Sequence, residues 1–158
     1  MKFKSIGALE KYLNTEIQDC LEHEVAEEVK SAMSMWAEID VYSVYPDPKS
    51  YERRGSLTNK LLYDSESSGK MKITVKPSIP FNPYLATEDE ETGMGLERLV
   101  TYGQGAGGNY GWKEPRGREA AYKQPRPWIP DAKEDLESSG SAAAALAMGL
   151  QEKGIVVK

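Results

Sequence analysis

Apolar residues recur every three or four positions through Leu9, Leu13, Ile17, Leu21, Val25, Val29, Met33 and Trp36, with acidic residues between them. That spacing predicts an amphipathic helix over residues 5–40. Steps of four residues overshoot the 3.6-residue turn, so the apolar stripe drifts around the helix. A drifting stripe either meets more than one partner or is interrupted, and Thr15 with Gln18 could form a capping box for a restart near Asn14. The expectation is a short first helix followed by a long second one.

Beyond residue 40 the period changes. Val41-Tyr42-Ser43-Val44-Tyr45 alternates and runs into Pro46-Asp47-Pro48, which holds the residue before each proline extended, so residues 41–55 are expected to form an extended arm. Residues 56–63 and 71–76 read as two strands of a hairpin, joined by the polar stretch 64–70. Residues 77–125 combine prolines, the acidic run from Thr87 to Glu91, one short periodic piece at 96–102 and the glycine-rich 103–111, and they predict long loops. Order returns at Arg126-Pro127-Trp128-Ile129-Pro130-Asp131, which leads into a C-terminal helix over 131–153, regular from about Ala132, with Leu136, Leu146 and Leu150 as its larger apolar contacts. Ser138-Ser139-Gly140-Ser141 should weaken or kink that helix, Gly154 should stop it, and residues 155–157 could add an edge strand. Helices at both ends with a hairpin between them make an α+β chain.

Length and charge narrow the function classes. A chain of 158 residues sits within the size of one domain and buries roughly two-thirds of its unfolded surface. With 28% charged and 39% apolar residues it is neither disordered nor fibrous as a whole. A net charge of −5 argues against a surface that grips nucleic acid all over, although a local basic patch is compatible with it. Cys20 is the one cysteine and His23 the one histidine, so an internal disulfide and a Cys/His zinc cluster are both excluded, and a reducing cytoplasm is the expected compartment. No apolar run approaches the roughly 20 residues that span a bilayer, and the first residues lack a signal-peptide pattern; neither export nor membrane insertion is expected.

Motifs that could carry chemistry fail on context. Gly103-Gln104-Gly105-Ala106-Gly107-Gly108 matches G-x-G-x-x-G, but Asn109-Tyr110-Gly111-Trp112 and Pro115 follow where a helix is required. Glu27-Glu28 and Asp89-Glu90-Glu91 sit in polar stretches, without the burial that would split their pKa values. His23, among Glu22, Glu24 and Glu27 on a helix, reads as a solvated residue, and Cys20 as a small core filler. No serine carries a nucleophile elbow, and any histidine-assisted mechanism would have to use His23 from the middle of a helix. The chain is expected to be no enzyme, with no catalytic residue, no cofactor and no metal.

Two basic-aromatic clusters remain: Tyr51-Glu52-Arg53-Arg54-Gly55, and Arg116-Gly117-Arg118 through Tyr122-Lys123-Gln124-Pro125-Arg126-Pro127-Trp128. Arginine forks bind carboxylates or phosphates, and tyrosine and tryptophan anchor interfaces; intramolecular ion pairs and packing are the other use of the same residues. Pro127 to Pro130 also fits a PxxP ligand but abuts a helix start.

A long helix ending in Ile39-Asp40-Val41-Tyr42-Ser43-Val44-Tyr45-Pro46, followed by Tyr51-Glu52-Arg53-Arg54-Gly55-Ser56-Leu57, resembles the small neck or tail-completion proteins of long-tailed bacteriophages, among them minor capsid and head-tail joining proteins. Leu99-Val100-Thr101-Tyr102-Gly103 is similar to that family's segment ending in Tyr-Gly, and Gln124-Pro125-Arg126-Pro127-Trp128-Ile129 to its Pro-Arg-Pro-aromatic approach to the C-terminal helix. The resemblance spans most of residues 6–153 in matching order, and the 105–122 stretch is longer than the family pattern.

The resemblance implies a long helix and a C-terminal helix packed on a small antiparallel sheet, with copies arranged as a ring, a hexamer or dodecamer, around the DNA passage. It implies partners in the head connector or adaptor and in the tail terminator, with DNA passing through without specific binding and no membrane contact. It also implies a place in the virion neck after synthesis in the bacterial host cytoplasm. A negative net charge suits a channel wall past which DNA slides. Tyr45, Tyr51, Arg53, Arg54, Arg126 and Trp128 are the candidates for interface or arm-anchoring contacts. The alternative is a DNA-binding or regulatory module that uses the same arginine and tyrosine clusters.

Overall fold

Ser5 opens the first helix in the computed structural model of the chain: its backbone is extended and its hydroxyl accepts a hydrogen bond from the Ala8 amide at 3.2 Å, which satisfies one of the donors left free in a first turn. The structure describes residues 2–43, 56–68, 71–78 and 126–157. From Ile6 the helix continues without interruption to Tyr42. Helix α1 is Ile6–Cys20, a π-helical turn occupies Leu21–Val25, α2 is Ala26–Ala37, and a second π-helical turn, Glu38–Tyr42, closes the run.

The expected break near Asn14 is absent. Thr15 does not cap a restart; its hydroxyl donates to the Lys11 carbonyl at 2.9 Å, one turn back inside α1. The drift of the apolar stripe is corrected further along. Each four-residue step carries the stripe roughly 40° too far, and a π turn, which accommodates one extra residue, takes back about 100°. Cys20 and Val25, five residues apart across the first π turn, are therefore both buried. Val41 and Tyr42, expected in an extended arm, form the last helical turn instead. Val41 is buried there, so tertiary packing overrides the β-type alternation of the local sequence. The rest of that expected arm, residues 44–55, lies outside the described residues.

The hairpin starts later than its pattern indicates. Residues expected as the first strand form two 3-10 turns, Ser56–Thr58 and Lys60–Leu62. The Asn59 side chain accepts from the Leu61 amide at 3.1 Å, the Ser34 hydroxyl donates to the Thr58 carbonyl at 2.8 Å, and Leu57 is buried against α2, so this segment is curled onto the helix. Strands β1, Tyr63–Ser67, and β2, Ile73–Pro77, pair antiparallel with Tyr63 opposite Pro77 and Ser67 opposite Ile73. Beyond the buried Tyr63, β1 is polar and exposed. Its backbone ladder and the Lys76–Glu66 ion pair hold it, where burial does not.

One side chain ties the far end of the hairpin to α1. Gln18 donates from Nε2 to Ser67 Oγ at 2.7 Å and to Glu22 Oε1 at 2.9 Å, and its Oε1 accepts from the Met71 amide at 2.9 Å. Hydrogen bonds from Ser67 and Gln18 hold the Glu22 carboxyl below its usual range. Met71 has φ 52, a left-handed conformation uncommon outside glycine, and the Gln18 carbonyl partners its N–H. Replacing Gln18 with alanine is expected to cost about 0.5–1.5 kcal/mol and to accelerate hydrogen exchange at the Met71 amide; unaltered exchange there would show that the hairpin holds without the clamp.

At the C-terminus the helix begins four residues ahead of Ala132. Helix α3, Trp128–Ser139, starts where the Pro127 carbonyl accepts from the Asp131 amide at 2.8 Å, and Pro130 lies in the first turn, where a missing N–H costs nothing. Gly140, at φ 67, ends α3, and α4, Ser141–Glu152, begins at once, so the expected weak point is a boundary between two helices. Gly154, at φ 76, stops α4: its amide bonds to the Gln151 carbonyl and that of Ile155 to the Leu150 carbonyl, each at 2.9 Å. With the Ile155 N–H committed to the helix end, residues 155–157 form no edge strand.

The architecture is α+β, with the long helix as its spine. Helix α3 packs along α2, and α4 lies against the first π turn and α1. Lys153, just past α4, donates to Asp19 and lies 3.1 Å from Glu16. That contact pushes the ammonium pKa up and holds the Asp19 carboxyl down. Small residues Ala32 and Ala37 admit the neighbouring elements closely, and Met33, Val41, Leu57, Tyr63, Trp128 and Ala132 complete the core around them.

Candidate functional site

Residues far apart in sequence converge on one cluster of aromatic side chains. Tyr42, in the last turn of the long helix, accepts at its hydroxyl from the Leu57 amide at 3.2 Å. The Tyr63 hydroxyl donates to the Leu57 carbonyl, and the Ser78 amide donates to the Leu62 carbonyl at 2.6 Å. Arg126 Nη1 reaches the Val41 carbonyl at 3.5 Å, and Trp128 meets Tyr63 edge-on, with ring centroids 6.3 Å apart and planes at 67°. Tyr42, Leu57, Tyr63, Arg126 and Trp128 are thus joined at the end of the long helix.

Burial sets the chemistry of this cluster. Trp128 is 0% exposed and Arg126 8%. Desolvation pushes the Tyr63 phenol pKa up, with the charge of Tyr42 acting in the same direction, so Tyr63 stays a hydrogen-bond donor throughout the physiological range. Desolvation pulls the Arg126 guanidinium pKa down from its ordinary value. Of the candidate contact residues, Arg126 and Trp128 are thus turned into the body of the chain, where they anchor the approach to α3, and Tyr45, Tyr51, Arg53 and Arg54 lie outside the described residues. Tyr42, Leu57 and Tyr63, which the residue pattern did not single out, complete the anchor. The available signal was that Tyr63 is the last large side chain before a polar run.

The other singled-out residues fall elsewhere. Cys20 is 0% exposed beside Gly149, and burial, followed by the charge of Glu24, pushes its thiol pKa up. His23 is exposed, with Nδ1 2.9 Å from the Asp19 carbonyl oxygen, and Asp19 raises its pKa. An open groove of about 850 Å³ along α1 is lined by Glu10, Lys11, Asn14, Gln18, Glu22 and Met71 among others, and it contains neither histidine nor cysteine. Among the described residues no group of three or more histidine, cysteine or acidic side chains could hold a metal ion, and no helix is long and apolar enough to cross a membrane. The glycine-rich 103–111, the acidic 87–91 and the second basic cluster up to residue 125 lie outside the described residues.

No curated protein and no solved structure matches the chain. A family model described as YomN matches residues 5–152, which takes in the long helix, the hairpin and both C-terminal helices. YomN is the name of a phage-derived Bacillus prophage protein, consistent with a phage origin. The chain belongs to the YomN family.

Proposed function

We propose that this chain is a non-enzymatic structural protein of the virion, forming an oligomeric ring in the phage neck that joins the head connector to the tail. The order of elements carries this reading: a long helix, a hairpin and a C-terminal helical region follow one another across 5–152 in a family consistent with phage origin, as the resemblance to neck proteins implies. The anchoring cluster supports it as well. Tyr42 and Leu57, hydrogen-bonded to each other, and the buried Arg126, which reaches the Val41 carbonyl, lie close in sequence to the stretches that carry Arg53, Arg54 and most of the second basic cluster, so contacts made there with neighbouring copies would be passed to the core.

Replacing Arg53 and Arg54 together with alanine should leave DNA-filled heads and free tails unjoined and abolish infectious particles. Electron microscopy and titre provide the check, and joined particles at ordinary yield would defeat the assignment. Tight duplex-DNA binding by the purified protein, with a steep salt dependence, would favour the DNA-binding alternative instead.

A further inference from the structure

We propose that the hairpin is a seam between copies of this chain, with the outer edge of β1 in one copy pairing antiparallel with the outer edge of β2 in the next. The Ser78 amide bonds to the Leu62 carbonyl at 2.6 Å and the Ser68 amide to the Lys72 carbonyl at 3.2 Å. In an antiparallel ladder, facing pairs that exchange hydrogen bonds alternate with pairs whose N–H and C=O groups point outward. In this register the even-numbered pairs, Asp64 with Lys76 and Glu66 with Thr74, bond to each other, and Ser65, Ile73 and Val75 present their backbone groups to the outside. Those outward groups meet no partner among the described residues. Pro77 also occupies an outward position, where its missing N–H removes no bond from the hairpin. A row of unpaired backbone groups is a template for another strand, and two strands alone make a marginal sheet.

Charge selects the occupant. The even-numbered side chains are exposed: Asp64 and Glu66 on β1, Thr74 and Lys76 on β2, and Lys72 just ahead of β2. One edge of the hairpin is therefore acidic and the other basic. Like edges brought together set carboxylates or ammonium groups against each other, which is destabilising across a strand pair. Unlike edges, joined in the hairpin's own register, set Asp64 opposite Lys76 of the next copy and Glu66 diagonal to Lys72 and Lys76 of that copy. Glu66 and Lys76 already form an ion pair on that diagonal within one hairpin. A strand from an unrelated protein has no reason to match both edges at once, whereas a second copy does. A contact between unlike edges is head-to-tail and leaves an open edge at each end, so it repeats until a ring closes. The seam rests on the neck reading only in that copies must associate.

The test uses two full-length variants: Asp64→Lys with Glu66→Lys, whose hairpin edges are both basic, and Lys72→Glu with Lys76→Glu, whose edges are both acidic. Sedimentation of the unaltered chain is expected to show association that rises with concentration, and each variant alone should associate about tenfold more weakly. Mixed in equal amounts, the two variants should associate as the unaltered chain does, because every basic edge then meets an acidic one. Each variant also loses the Lys76–Glu66 ion pair inside its own hairpin; mixing cannot restore that contact, so recovery on mixing reports the seam between copies. Variants that associate alone as well as the unaltered chain, or that stay apart when mixed, would overturn the seam. Hydrogen exchange gives a second readout, since the Ser65, Ile73 and Val75 amides of the unaltered chain should slow as copies associate. Copies that associate with these amides exchanging freely would sink the seam and leave the ring reading standing. A chain that never associates would also overturn the seam, and the Arg53 and Arg54 variant would then decide the neck assignment separately.

Discussion

Replacing Trp128 with alanine should lower the melting temperature by roughly 6–20 °C, the largest effect expected from a single substitution in this chain. Trp128 is 0% exposed, belongs to the core cluster, and meets Tyr63 edge-on. Truncating a buried tryptophan costs about 3–5 kcal/mol, against a total stability on the order of 5–15 kcal/mol. The loss also reaches the backbone, because Trp128 is the first residue of α3 and follows directly on the segment in which Arg126 holds the Val41 carbonyl. Trp128→Phe separates volume from polarity. It retains a ring against Tyr63 and removes an indole N–H that is buried without an acceptor among the described residues, so part of the lost packing is offset and the cost should fall below about 2 kcal/mol. Circular dichroism melts of the two variants provide the comparison. An alanine variant that melted within a degree or two of the wild type would mean that Trp128 is not in the core.

Trp128 also marks how far residue patterns reach in this chain. The stripe from Leu9 to Trp36 was sufficient to place the long helix, because one-sided burial leaves a periodic record. Its continuity was not legible. Thr15 and Gln18 have the residue types of a capping box, yet Thr15 bonds back within α1 and Gln18 reaches the hairpin, a partner some fifty positions away. The π turn at Leu21–Val25 has no residue-type signature of its own, and only the drift of the apolar stripe, which it takes back, points to it. The hairpin was found but displaced: Ser56 to Leu62 resembles a strand by composition, whereas Asp64 to Ser67 becomes one through pairing with β2 and an exposed ion pair, neither of which shows in hydrophobicity. Gly154 was read as the helix stop it is, because a left-handed position after a helix demands glycine for local reasons, whereas Gly140 was expected to weaken or kink one helix and its left-handed backbone instead ends α3. Trp128 was visible as a site residue, but Tyr63 and Leu57 acquire their role only when the fold brings them to it.

Replacing Gly149 with leucine should force α4 away from the long helix at a cost of about 3 kcal/mol. A Cβ at Gly149 would lie 3.0 Å from Cys20 Sγ and 3.0 Å from Glu24 Cδ, with Glu24 Cγ at 3.1 Å, so even a methyl group must displace something. Cys20 cannot yield, being 0% exposed. Glu24 is only partly free to move, because its Oε2 is already buried without a donor among the described residues. Leucine and alanine are both better helix formers than glycine by about 0.5–1 kcal/mol, so any loss of stability reports the clash and not the helix. Gly149→Ala therefore sets a gain of that size against an overpacking cost of about 1–3 kcal/mol, and should be mildly destabilising. Adding Cys20→Ala removes the sulfur from one of the two contacts. In a double-mutant cycle the pair should be coupled by on the order of 1 kcal/mol, with the double variant more stable than the sum of the single effects predicts. Additive effects, or a leucine variant as stable as the wild type, would mean that α4 does not cross the π turn at Gly149. The Lys153 contacts with Asp19 and Glu16 lie one turn beyond that crossing, so they too should loosen in the leucine variant, and the Lys153 ammonium should then titrate closer to its ordinary value.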